Sequence, residues 1–199
     1  MPGLMIHLIV AHKLNPNGSA LFFLGSLAPD AVPDWREKEV SHFRNLPDRE
    51  PALISLAMQT DGEYAEGALL HLFTDWKWDL RVRRKYMDEM GENWHPSYRS
   101  EISSSGSYAF HSTNWAKQCW HDMDAVDIGS YGVVPGVTPD NVKALVSREG
   151  KWHNENSKGP STAFPPELIE DFAEQVVREY VEWKEAVKRK AKPLSKEQA

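Results

Sequence analysis

Residues 61–88 constrain the fold of this chain more than any other stretch. Asp61, Gly62 and Glu63 read as a helix start, and Leu69, Leu70, Leu72, Phe73, Trp76 and Leu80 follow at helical spacing. A helix carrying so many large apolar side chains belongs deep in the protein. It nevertheless contains His71-Leu-Phe-Thr-Asp75, in which positions i and i+4 share one face. Two polar side chains therefore point the same way inside a core. Either they form a His–Asp hydrogen bond across one turn, or they are two ligands for one cation.

The remaining patterns are also helical. Leu4, Ile6, His7, Leu8, Val10 and Ala11 predict a short helix ending near Asn15, although the β-branched residues leave a strand open. Residues 51–59 follow a proline start and place Leu53, Ile54, Leu56 and Ala57 on one face. A long helix is expected over 98–123, with Ile102, Tyr108, Phe110, Trp115 and Trp120 as core candidates and Ser103 to Ser107 as its weakest part. The last helix, 165–192, carries Leu168, Ile169, Phe172, Val176, Val177, Tyr180 and Val187, and basic residues gather at its C-terminal end. Residues 128–159 are rich in Gly, Pro and polar side chains. They predict a loop-rich connection with one short helix at 139–147.

Composition narrows the chemistry. Cys119 is the single cysteine, which excludes an intramolecular disulfide framework and a thiolate-rich zinc cluster. Eight histidines and the carboxylates are left as the ligands a metal could use. Lys and Arg total 23 against 29 Asp and Glu, a net charge of −6, so no nucleic-acid-binding patch or anionic-membrane surface is expected, and a polyanionic substrate would need a local cation. Met1-Pro2-Gly3-Leu4-Met5-Ile6-His7 lacks a basic leader and reaches a histidine early, so a cytoplasmic protein is expected. The apolar run from Ser19 to Ala28 is broken by Gly25 and stopped by Pro29-Asp30, short of the roughly 18 residues of a membrane span, so no transmembrane segment is expected.

Three more polar residues stand in apolar or turn surroundings: His7 in the first helix, Asp30 after Pro29, and His42 in Val40-Ser-His-Phe43. Singly, these are a core histidine, a turn cap and a loop residue. Together with His71 and Asp75 they make three imidazoles and two carboxylates, a mixed N/O set suited to zinc or another divalent ion.

This ordered set resembles the zinc-dependent phospholipase C family, which is related to the single-strand-specific zinc nucleases. The resemblance covers about the first 80 residues: the early His7, Gly25-Ser-Leu-Ala-Pro-Asp30, Ser41-His42-Phe43 and Gly67-Ala-Leu-Leu-His71-Leu-Phe-Thr-Asp75. It implies that His7, Asp30, His42, His71 and Asp75 bind metal, with Asp30 bridging ions or orienting the attacking water. It also implies that a Pro2 amine freed by removal of Met1 could join His7. Where three-zinc members have a further histidine, Arg81 stands here, and none of the downstream histidines supplies the later HxxxE pair. One or two zinc ions are therefore expected.

The overall expectation is an all-α, single-domain helical bundle over 1–199. Residues 1–80 form its metal-binding half, 128–159 an irregular insertion, and 165–192 the C-terminal helix. The expected activity is zinc-dependent hydrolysis of a small-molecule or lipid phosphoester by a metal-activated water. Arg81 could bind a phosphate oxygen or be a surface arginine. His111 could contact substrate or metal, or be a buried structural histidine. Trp76, Trp78, Trp94, Trp115, Trp120 and Trp152 could line a cleft or belong to the core. The alternatives are a non-catalytic helical protein with a structural metal or a His–Asp network, and an HD-type phosphohydrolase using His121-Asp122.

Overall fold

In the computed structural model, which describes residues 2–32, 34–126, 134 and 136–191, α1 (Leu4–Leu14) lies at the centre. Met5 through Ala11 are all buried, so α1 is enclosed on every side. Ile6, Ile9 and Val10 left a strand open. Enclosure suits a helix, which satisfies its backbone hydrogen bonds within itself.

The run from Ser19 supplies α2 (Ala20–Gly25), where Ser19 Oγ accepts from the Phe22 N–H at 3.3 Å, and then a tight turn over Ala28–Asp30. The helix α3 (Trp35–Ser41) is capped by Asp34, and α4 (Glu50–Gln59) starts with Pro51 in its first turn. The helix expected over 61–88 is α5 (Glu63–Trp78), but it does not run straight through. A π-turn over Asp79–Arg83 precedes α6 (Arg84–Met90). Such widened turns inside helices gather at functional sites, and this one starts one turn beyond Asp75.

Two expectations need correction. The helix expected over 98–123 is two helices, α7 (Trp94–Ser112) and α8 (Ala116–Ala125). Ser105, Gly106 and Ser107 continue α7 as a buried small-residue strip. The break comes later, where Thr113 turns both its N–H and its hydroxyl to the Ala109 carbonyl and Trp115 stacks on His12 at 4.2 Å. The connection over 128–159 is largely helical. After Thr138 caps the Asn141 N–H, α9 (Pro139–Glu155) runs for 17 residues, well beyond the expected 139–147. Residues 127–133 and 135 of that segment lie outside the described residues. The last helix, α10 (Pro166–Ala191), follows its expected course, with Lys192 outside the described residues.

All secondary structure among the described residues is helical, in one domain, and no helix there is long and apolar enough to cross a membrane. The packing that matters most for the site is α2 on α5. A Cβ on Gly25 would lie 2.0 Å from the Tyr64 carbonyl oxygen, and one on Gly67 would lie 2.1 Å from that of Phe22. Only glycine permits backbones this close. The contact brings the Ser26 carbonyl, just past α2, onto His71 one turn beyond Gly67.

Candidate metal centre

Four segments deliver buried polar groups to one place: α1 brings His7, the Ala28–Asp30 turn Asp30, the end of α3 His42, and α5 both His71 and Asp75. Each is at most 5% exposed. His42 Nε2 is the point of convergence, 3.2 Å from His71 Nε2 and 3.3 Å from both Asp30 Oδ1 and Asp75 Oδ2. His7 lies on the far side of His71, its ring stacked at 3.6 Å, with Nε2 3.6 Å from Asp75 Oδ1. The donors form two overlapping groups, His7–His71–Asp75 and Asp30–His42–His71, each with ligand atoms within 4.8 Å of one another.

Hydrogen bonds orient the rings. His71 Nδ1–H donates to the Ser26 carbonyl at 2.7 Å, which leaves the Nε2 lone pair facing the cluster. Ser41 Oγ lies 2.8 Å from His42 Nδ1 and fixes the orientation of that ring. Asp75 presents one oxygen to His7 and the other to His42, so it holds the position between the two groups. Asp30 belongs to the second group, with Oδ1 on His42, and His71 is common to both.

The donor set fits a cation. Both ring nitrogens of His7 and Asp75 Oδ1 are buried without a hydrogen-bond partner. Buried polar atoms left this way are costly unless something binds them. Burial opposes ionisation of Asp30, but the Lys38 ammonium and His42 hold its carboxyl well below the usual carboxylate range. Burial likewise opposes ionisation of Asp75, and His42, His7 and Arg44 hold it low. Burial, reinforced by the His7 imidazole, pushes His71 well below the ordinary imidazole value. Neutral imidazole beside ionised carboxylate is the protonation state that a divalent ion requires.

Two cations escaped the sequence reading. Lys38 Nζ bonds Asp30 Oδ1 at 2.9 Å, and Arg44 Nη2 bonds Asp75 Oδ2 at 3.1 Å. Arg44 also reaches Asp79, which takes Arg49 and Arg83 as well. Between His42 and Arg44 the chain passes through Phe43 at φ 55°, the one non-glycine with positive φ among the described residues. This left-handed residue turns the chain so that both of its neighbours reach the cluster.

Lys38 and Arg44 also line a cleft of about 760 Å³. One face of α7 runs along it, with Trp94, Tyr98 and Ile102 at intervals of four and Arg99 beside them, while α9 contributes Trp152 and His153. Of the six candidate cleft tryptophans, Trp94 and Trp152 are in this wall, and Trp78 and Trp120 are core. Pro2 is buried and lines the cleft as well, but Met1 lies outside the described residues.

The remaining candidates are elsewhere. Arg81 Nη2 donates to both carboxylate oxygens of Glu179 at 2.7 and 2.8 Å. His111 is exposed and donates through Nε2 to the carbonyls of His153 and Asn156, at the end of α9. His121 and Asp122 are on the exposed face of α8, outside both donor groups. No family model, curated protein or solved structure matches this chain. The functional reading therefore rests on the cluster and the cleft.

Proposed function

We propose that this protein is a metal-dependent hydrolase of phosphoric esters, a divergent relative of zinc-dependent phospholipase C. In this reading His7, Asp30, His42, His71 and Asp75 hold one or two zinc ions. The observation that carries it is the buried pair of His/Asp groups with unpartnered His7 and Asp75 atoms, beside a cleft lined by arginine and lysine. A dication held there would acidify water, polarise a phosphoryl oxygen and offset charge on the leaving oxygen.

The chain's own residues have separate tasks. His71, locked by the Ser26 carbonyl, and His42, steadied by Ser41, offer oriented Nε2 lone pairs. Asp75 joins the two groups. Asp30 is assigned as the catalytic carboxylate: Lys38 keeps it ionised, so it can accept a proton from, or orient, an attacking water. Lys38 and Arg44 face both the cluster and the cleft, which is where a phosphoester's charge would need to be met.

One observation favours a metal-free His–Asp network instead: Lys38 and Arg44 already give each buried carboxylate a cation. Elemental analysis of protein purified without chelators separates the two readings, together with a turnover screen across phosphomonoesters, phosphodiesters and nucleotides. The expected result is one or two divalent ions per chain, chelator-sensitive turnover, and loss of both in His71→Ala. Metal-free protein, or metal content unchanged in His71→Ala, would overturn the hydrolase reading.

A further inference from the structure

The cleft inverts the charge of the chain around it. Among its lining residues, Lys38, Arg44, Arg83 and Arg99 face only two carboxylates, Glu39 and Glu149, whereas the whole chain is acidic. Three of those cations are committed: Lys38 to Asp30, Arg44 to Asp75 and Asp79, and Arg83 to Asp79. Arg99 is exposed and makes no ion pair among the described residues. It lines the same cleft as Trp94, over whose ring the Arg83 guanidinium lies at 5.4 Å. The Trp94 ring meets Arg83 by a cation–π contact, and Arg99 adds its charge to the same cleft, whose low-dielectric walls focus the field.

We propose that Arg99, with Arg83 held over Trp94, recognises a second anionic group of the ligand. The protein then prefers a small soluble molecule with two anionic groups. Its phosphoester sits at the Lys38–Arg44 end, and a second phosphate or carboxylate is held by the α7 wall. This rests on reading the cluster as the phosphoester site. Cationic side chains are spread along this cleft among aromatic and aliphatic ones, Trp94, Tyr98, Leu4 and Ile102 included, which suits a ligand with more than one anionic group.

The test is isothermal titration of the full chain, metal-loaded and chelator-treated, with 1,3-propanediol bisphosphate and with n-propyl phosphate. The bisphosphate should bind about tenfold more tightly, as expected for one charge-assisted hydrogen-bonded contact at a partly exposed site. Arg99→Ala should bring the two ligands to within about twofold without shifting the melting temperature, and Arg99→Lys should restore only part of the preference, because a point charge replaces the planar fork. Equal binding of the two probes by the unmodified chain, or a preference surviving Arg99→Ala, would overturn the proposal. Loss of metal and turnover with the Arg99-dependent preference intact would count against the hydrolase reading alone. Metal and turnover without the preference would count against the second-anion subsite alone.

Discussion

The cluster and the adjoining cleft wall hold polar groups by opposite means. In the cluster, five buried side chains from four segments converge, and each depends on another: His71 on the Ser26 carbonyl, Asp75 on Arg44, Asp30 on Lys38. In the wall, α7 lays side chains along the cleft, and Arg99 makes no ion pair among the described residues. Removing one member of the cluster strands a buried partner. Removing an exposed member of the wall such as Arg99 leaves its neighbours where they were. The cluster should therefore answer substitution with lost stability and the wall with lost ligand preference.

Arg44→Ala is the severest test of that contrast. It leaves the Asp75 charge buried without its guanidinium and takes one of three arginines from Asp79. Stranding a buried charge costs about 3–5 kcal/mol. Urea denaturation in chelator should show a loss of that size, and zinc should recover part of it by supplying the missing charge. A neutral effect in chelator would mean that Asp75 is not a buried anion in the metal-free protein.

The next test is of pH, on the one deeply buried histidine of the wall. Burial first, and the neighbouring His111 second, push His153 down to about 4. The unfolded chain takes up a proton near pH 6.5 and the folded one only near 4, so the unfolded state binds more protons in between. The stability tied to neutral His153 is thus complete above about pH 6.5 and falls as pH drops toward 4, by roughly 3 kcal/mol. His153→Phe, sited between Phe110 and Trp120, should flatten the slope in that window by about this amount. His71 falls in the same direction and stays in both proteins, so the difference between them isolates His153. An unchanged slope would place the His153 ring in water.

What could be read from the sequence follows the same division. Three of the five cluster residues are legible because burial leaves a mark: HxxxD inside an apolar helix, and His7 inside another, are polar residues where the pattern demands apolar ones, whereas Asp30 and His42 stand out only through their order in the resemblance. Lys38 and Arg44 left no such mark. Each is an ordinary cation in a polar stretch; Lys38 acts through Asp30, eight residues back, and Arg44 through a left-handed Phe43 and partners up to 35 residues away. The helix α9 was hidden because its buried face, Val142, Leu145, Val146, Gly150 and His153, passes from apolar to small and polar halfway along. That change breaks the helical pattern just beyond 147. The sequence reading takes α7 and α8 as one helix, weakest at Ser103 to Ser107, for the converse reason. A serine-rich stretch weakens a helix on propensity alone, but here its small side chains are buried in α7 and the packing overrides propensity.

The smallest expected effect bounds the site from outside. Arg81 stands where the resemblance to zinc-dependent phospholipase C would call for a further histidine, yet its Nη2 is turned onto Glu179 of α10, which Lys77 also approaches at 3.6 Å. The Arg81 and Glu179 side chains are 35% and 27% exposed, so solvent screens the pair and its loss should cost less than about 1 kcal/mol. Arg81→Ala should therefore leave metal content, turnover and the bisphosphate preference unchanged. A tenfold or greater fall in turnover at unaltered stability would instead show that Arg81 leaves Glu179 when substrate binds, and the boundary between cluster and surface would have to be redrawn to include it.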